Sequence, residues 1–246
     1  MKRRLIILSR IIWRFFFNFN FAFTFLILYP LFYVLIQREK WWRQVFKLKR
    51  FWAKLIVWDV GITYHITDHA HLKKNGTYIF CPNHTSYIDT VTTYLTTDIY
   101  FHFMGKAELT KIPLFKIFFK RMDIPVDRAS RISAHKAYSR AASDLKKGIS
   151  LAIFPEGTIH ETAPKLHRFK NGPFKLAIEN QVPIVPITFK NNWVILPEGR
   201  KKKKGGRPGR MEIVIHPPIE TKGMTETDID TLKEKVHSII NNELRK

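Results

Sequence analysis

The chain has 246 residues, enough for one α/β domain plus an anchoring segment. It carries 42 Lys and Arg against 20 Asp and Glu, a formal net charge of +22, which implies an anionic partner: nucleic acid, anionic lipid or a polyphosphate. The 20 phenylalanines turn that balance toward a membrane surface, no RNA- or DNA-binding motif accompanies the charge, and the single cysteine, Cys81, excludes an intramolecular disulfide and argues against a zinc finger.

Residues 1–14 hold Lys2, Arg3, Arg4, Arg10 and Arg14 and no acid, and Phe15–Gln37 then run 23 residues without a charge. A helix of that length crosses a hydrocarbon core of about 30 Å. It is too long for a signal peptide, and no small-residue cleavage site follows it. Asn18, Asn20 and Pro30 interrupt its apolar character. The far flank, with Arg38, Lys40, Arg43, Lys47, Lys49, Arg50 and Lys54, is as basic as the near one, so the positive-inside rule assigns both flanks to the cytoplasm. Two arrangements remain. One is a single spanning helix that breaks the charge rule at its N-terminus. The other, which the flanks favour, is a hairpin broken at Pro30 that dips into one leaflet. Residues 41–58 mix Trp and Phe with Lys and Arg, as an interfacial helix does, although an amphipathic helix packed on a domain has the same pattern. We take 1–58 as a membrane anchor and 59–246 as the catalytic domain.

From Gly61 the pattern is α/β. Strands are expected at 61–66, 77–81, 100–104, 149–154, 183–189 and 211–216, and helices at 86–97, 113–121, 130–147, 173–180 and 226–244. The last places Ile229, Leu232, Val236, Ile239, Ile240 and Leu244 at helical spacing. The fold class is therefore α/β, a mixed, mostly parallel sheet flanked by helices, with an N-terminal membrane-anchoring helical segment. Residues 201–210 read as a basic, glycine-rich loop that either touches anionic groups or is simply solvated. His65, His69 and His71 cluster beside Asp68 in a strand-to-loop stretch, where no metal site is expected.

Two segments carry chemistry. In Asn83-His84-Thr85-Ser86-Tyr87-Ile88-Asp89 a histidine precedes an aspartate by five positions, at the carboxyl end of the 77–81 strand and the start of a helix. Active sites of open α/β sheets gather at that edge. An imidazole can take a proton near neutrality, and a carboxylate on its other nitrogen fixes the tautomer. The pair can meet only if His84 lies before the helix and Asp89 in its first turns, because this spacing does not share a helix face. Seventy residues on stands Phe154-Pro155-Glu156-Gly157-Thr158. No Gly-x-Ser-x-Gly elbow is present, which suits a reaction whose nucleophile is the acceptor's own hydroxyl.

The two segments, in this order, resemble the defining motifs of the glycerolipid acyltransferase family. The resemblance covers residues 60–220. It includes Gly105-Lys106-Ala107-Glu108-Leu109, Ile124-Pro125-Val126-Asp127-Arg128, Phe169-Lys170-Asn171-Gly172 and Val182-Pro183-Ile184-Val185-Pro186-Ile187. It implies acyl transfer from acyl-CoA or acyl-carrier protein to the sn-2 hydroxyl of lysophosphatidate, giving phosphatidate. Glycerol 3-phosphate, another lysophospholipid or a lyso-aminolipid are alternative acceptors, and a non-catalytic basic membrane module is the reading from outside the class. His84 would be the general base and Asp89 its orienting partner. Arg128, Glu156, Gly157, Thr158, Lys106 and Lys170 would meet the substrate; for Glu156 the alternative is a carboxylate that braces the turn, and for Arg128 an ion pair with Asp127. No cofactor or metal is implied. The implied partners are membrane lipids and the acyl donor, not nucleic acid, with the catalytic domain on the cytoplasmic face of the inner membrane. One departure is visible: many members carry an arginine after Glu-Gly-Thr, and here the position is Ile159.

Overall fold

The computed structural model describes residues 2–127, 129–199 and 205–246. Among these, strands β1 (Ile62–Asp68), β2 (Ile79–Pro82), β3 (Phe101–Lys106), β4 (Ile124–Val126), β5 (Ser150–Ile153), β6 (Ile184–Phe189) and β7 (Gly209–Ile215) form one sheet in the order β1-β7-β6-β2-β5-β3-β4. Every pairing is parallel except β6 with β7. The helices are α1 (Lys2–Ile36), α2 (Trp42–Asp59), α3 (Ile88–Thr96), α4 (Lys116–Arg121), α5 (Arg131–Lys146), α6 (Gly172–Glu179), α7 (Asn192–Ile195) and α8 (Ile229–Arg245).

Every residue of β2, β5 and β6 is buried, as expected of strands covered on both faces. Their alternation divides the core in two. Phe80, Ala152, Val185 and Ile187 face one layer, built with α1, α2 and α3. Ile79, Cys81, Leu151, Ile153 and Ile184 face the other, built with α5, α6 and α8. The six expected strands are all present. β4 escapes the sequence pattern because it is three residues long, contains Pro125 and lies at the sheet edge, where proline is tolerated. Two helix starts carry local signals: Ser130 Oγ accepts the Ser133 N–H at the head of α5, and Thr225 with Asp228 forms a capping box before α8.

α1 corrects the expected break. Its 35 residues form one helix that runs through Pro30, so no hairpin turn occurs there. Proline inside a helix costs ~3 kcal/mol, and tertiary packing offsets it. Phe25, Phe32 and Ile36 are buried on the same helix, with Phe25 and Phe32 against Trp52 of α2 and Phe118 of α4. The chain reverses later, across residues 37–41, and α2 returns along α1. Asn20 and Thr24, polar groups in the apolar run, serve this contact: Asn20 Nδ2 donates to Asp59 (2.9 Å) and Trp52 Nε1 donates to Thr24 Oγ1 (2.8 Å). Trp42 Nε1 donates to the Ile36 carbonyl and closes the turn.

α2 is also tied to the sheet. Lys49 is buried with its Nζ 2.6 Å from Asp123 Oδ2 and 4.3 Å from the Phe118 ring centroid, while Asp123 Oδ1 accepts the Phe103 N–H. Burial pushes the Lys49 ammonium below the usual lysine range, and the nearby Asp123 carboxylate opposes that shift. Removing one member of such a pair leaves an uncompensated buried charge, so Lys49→Ala should destabilise the protein by about 3–5 kcal/mol in denaturant unfolding of the detergent-purified chain. A loss under about 1 kcal/mol would mean that water reaches Asp123.

Candidate active site

β2 is the middle strand of the sheet and β5 its parallel neighbour, so the loops after them leave the same edge side by side. Asn83 fixes the first loop. Its side chain donates to the Phe189 carbonyl (3.1 Å) and accepts the Phe189 N–H (2.7 Å), closing the end of β2 against the end of β6 as a strand backbone would.

His84 follows, ahead of α3, and Asp89 lies in the first turn of that helix. His84 Nδ1 is 3.0 Å from Asp89 Oδ2, so the two residues meet as the spacing requires. The same oxygen accepts the N–H groups of Thr85 (2.6 Å) and Ser86 (2.8 Å), and Oδ1 accepts Asn192 Nδ2 at 2.8 Å. Asp89 is wholly buried. The two backbone N–H groups and the Asn192 amide already use Asp89 as an acceptor, and an acceptor-only carboxylate then requires His84 Nδ1 to carry the proton, which leaves a lone pair on Nε2. The ring stacks on Phe154, with centroids 3.9 Å apart, and the His84 side chain keeps 15% of its surface exposed. The far edge of the imidazole therefore remains open to a substrate.

Glu156 sits in the adjoining loop and works as a brace. Its Oε1 accepts the His84 N–H at 2.8 Å and its Oε2 the His167 N–H at 3.1 Å, so one carboxylate holds the two loops together. Burial pushes its pKa up to about 7, against the pull of those two amides. Gly157 is buried at φ +80, a left-handed conformation that a side chain would strain. Thr158 is exposed. The Lys170 N–H donates to the Pro155 carbonyl, which seats this exposed lysine beside the turn. Lys106 is also exposed, at the end of β3 on the same sheet edge, with Glu108 3.7 Å away. Arg128, two positions beyond β4 in sequence, lies outside the described residues.

Sequence reasoning missed Asn192. It donates to Asp89 and, at 3.0 Å, to Thr92 Oγ1, and it is fully buried. A four-residue helix more than a hundred positions from Asp89 offers no local pattern to read. Its setting is tied to α1. Arg14 donates to the Pro197 carbonyl (2.5 Å) and pairs with Glu198 (3.0 Å), the Gly206 N–H donates to the Arg10 carbonyl (3.1 Å), and Ser86 Oγ donates to the Leu196 carbonyl (2.6 Å). Of the expected 201–210 loop, residues 201–204 lie outside the described residues; a Cβ at Gly205 would lie 2.3 Å from the Arg10 backbone and one at Gly206 2.6 Å from the Trp13 ring, so these two glycines allow α1 to approach. Among the described residues no group of three or more His, Cys, Asp and Glu side chains is arranged as metal ligands, and His65 stands exposed on β1.

Comparison with known proteins places the chain in a family. The acyltransferase family model matches residues 63–190, just over half of the chain, and includes His84, Asp89 and the Glu156 turn. The chain belongs to the acyltransferase family. It is 28% identical over 184 residues to an uncharacterised acyltransferase of Schizosaccharomyces pombe, a match covering 74% of this chain and 65% of that protein. It is 29% identical over 187 residues to the 1-acyl-sn-glycerol-3-phosphate acyltransferase of Limnanthes alba, covering 75% of this chain and 64% of that one. The protein of that name from Borreliella burgdorferi is 28% identical over 207 residues, covering 83% and 79%. The crystal structure of the 1-acyl-sn-glycerophosphate acyltransferase of Thermotoga maritima shares the fold, with a TM-score of 0.77 over 99% of this chain and 96% of that one, at 23% identity.

Asn192→Ala would leave Asp89 Oδ1 without its side-chain donor. The loss of a hydrogen bond to a buried charge, about 1.5–3 kcal/mol, should lower turnover roughly tenfold or more while the substrate KM changes little. Steady-state kinetics of the purified variant would check this, and turnover equal to wild type would show that the backbone donors alone orient the carboxylate.

Proposed function

We propose that the protein transfers an acyl group from acyl-CoA or acyl-carrier protein to the sn-2 hydroxyl of lysophosphatidate, forming phosphatidate. The observation that carries the reading is the His84–Asp89 pair, with the aspartate buried and the outer edge of the imidazole open. His84 Nε2 takes the hydroxyl proton as the acceptor oxygen attacks the thioester carbonyl. Asp89 stabilises the imidazolium. As the tetrahedral adduct collapses, the C–S bond breaks and His84 returns the proton to the leaving thiolate, so ester and free thiol are the products. Similarity to the 1-acyl-sn-glycerol-3-phosphate acyltransferases of Limnanthes and Borreliella supports the lysophosphatidate acceptor. Glu156 supports the reaction by holding His84, Gly157, Thr158, Lys170 and Lys106 flank the acceptor, and the acceptor role expected of Arg128 rests on its sequence motif alone. No cofactor takes part.

Incubating the full-length protein with labelled acyl donor and a panel of lyso-lipids tests the reading. Phosphatidate should be the main product, and His84→Ala should lower its formation by ~10²-fold or more. Turnover by that variant within a few-fold of wild type would sink the general-base mechanism.

The setting we propose is the cytoplasmic face of the inner membrane, with the protein embedded in one leaflet. α1 is, by length and composition, a helix able to cross a membrane. Its contacts argue for lying along the surface instead. Trp13 and Arg14 bond to the catalytic domain near one end, and Gln37, just past the other, accepts from Arg121. Between them Phe15, Phe16, Phe19, Phe23, Leu26 and Ile27 are exposed, an apolar stripe suited to acyl chains. With Lys2→Cys, an impermeant thiol reagent should label inverted vesicles and not intact cells; Cys81 is buried in β2 and does not compete. Labelling from outside would establish a spanning helix.

A further inference from the structure

The His84 imidazole lies flat against the Phe154 ring, with centroids 3.9 Å apart and planes 13° from parallel. Phe154 follows β5 directly, is half-buried and packs against the core layer that includes Ala152. It stacks in turn on Phe103 of β3, at 5.9 Å and 19°. Phe103 is buried, with Phe101 and Tyr94 edge-on to it, and its N–H donates to Asp123. The ladder His84–Phe154–Phe103 is therefore rooted in the sheet, and it adds to the Asp89 bond in holding the plane of the base.

Packing alone does not call for an aromatic ring here, since a leucine fills a similar space. The reaction does. When Nε2 takes the hydroxyl proton, His84 gains a positive charge beside the negative face of a benzene ring, well within reach of a cation–π attraction. That attraction arises only as the proton moves, so it lowers the barrier instead of tightening the resting state. Three ionisable groups also face the imidazole. Asp89 of α3 meets Nδ1 and favours the imidazolium. Glu156, on the loop after β5, accepts the His84 backbone N–H, and burial pushes its pKa up to about 7. His160, on the same loop, opposes a charge on His84 when it is itself charged. Phe154 differs from all three because it stabilises the cation and carries no charge of its own to desolvate.

We propose that Phe154 is a positioning residue for His84 whose ring face also stabilises the imidazolium formed during acyl transfer. The proposal rests on the reading above, with His84 as general base.

The test replaces Phe154 in the full-length protein with phenylalanines of increasing ring fluorination, which keep the shape while draining the face of negative charge. The single-turnover rate of acyl transfer should fall stepwise along the series, by about tenfold in all. Phe154→Leu should move the acid limb of the kcat/KM profile to lower pH by about half to one unit, because the base then holds its proton less well. Glu156 and His160 are unchanged in that variant, so the difference between the two profiles belongs to Phe154. Without substrates, the His84 ring resonances of Phe154→Leu in detergent micelles should titrate at lower pH than those of wild type. That measurement needs no turnover, so a protein that acylates no lyso-lipid would defeat the functional reading and leave the stack to be judged by NMR. Rates within about twofold along the fluorinated series, or His84 resonances that titrate in Phe154→Leu as in wild type, would overturn the proposal.

Discussion

Keeping a bare carboxylate inside the protein is the constraint on which this architecture turns. Asp89 has no exposed surface, and a buried charge must be met by donors or it is driven to neutrality. Its four donors come from separate parts of the chain. Thr85 and Ser86 supply backbone N–H groups from the turn before α3, His84 supplies a ring N–H from the end of β2, and Asn192 reaches in from α7. Each must be placed independently. The Asn83 clasp on Phe189 sets the β2 end, Glu156 holds the His84 backbone from the β5 side, and the Ser86 hydroxyl anchors the turn to Leu196. The reactive edge of His84 is what remains unused when this network is complete.

Much of the fold is legible in the sequence because its signals are local. Continuous apolar runs identify β2, β5 and β6, and helical spacing identifies α8. The motif residues of the dyad are readable for the same reason, since five positions decide whether they meet. What escapes is long-range. Asn192 belongs to a helix of four residues whose partner is Asp89, and nothing near it announces that role. Pro30 misleads in the opposite direction: the local rule says break, and the packing of Phe25, Phe32 and Ile36 outweighs it. α2 reads as a basic surface helix, yet Lys49 is internal, because its counter-charge Asp123 lies 74 residues away. The motif carboxylate Glu156 is similar. Its position leaves two roles open, a substrate contact or a brace of the turn, and in the structure both oxygens hold backbone N–H groups.

Charge follows a division of labour. The excess of 22 positive charges suits an anionic surface, and the α1–α2 turn itself carries two cations, Arg38 and Lys40, of the kind that anionic headgroups attract. Around the dyad the pattern is finer. The loop after β5 gathers His160, Lys165, His167, Arg168 and Lys170 around one acid, Glu161, within eleven positions, while Glu156 before it is turned inward. Such a surface is locally cationic and favours the approach of anions in general.

The bond from Arg14 to the segment after α7 gives the first helix a second occupation. A stripe of phenylalanines faces outward on α1, while its inner side presses on the stretch that carries Asn192. Shearing α1 away to obtain a water-soluble fragment would therefore strip a buttress from the catalytic centre along with the grease. The outward apolar stripe and the inward anchor share one rod, so a substitution that shifts or rotates α1 also leans on the segment that places Asn192 against Asp89.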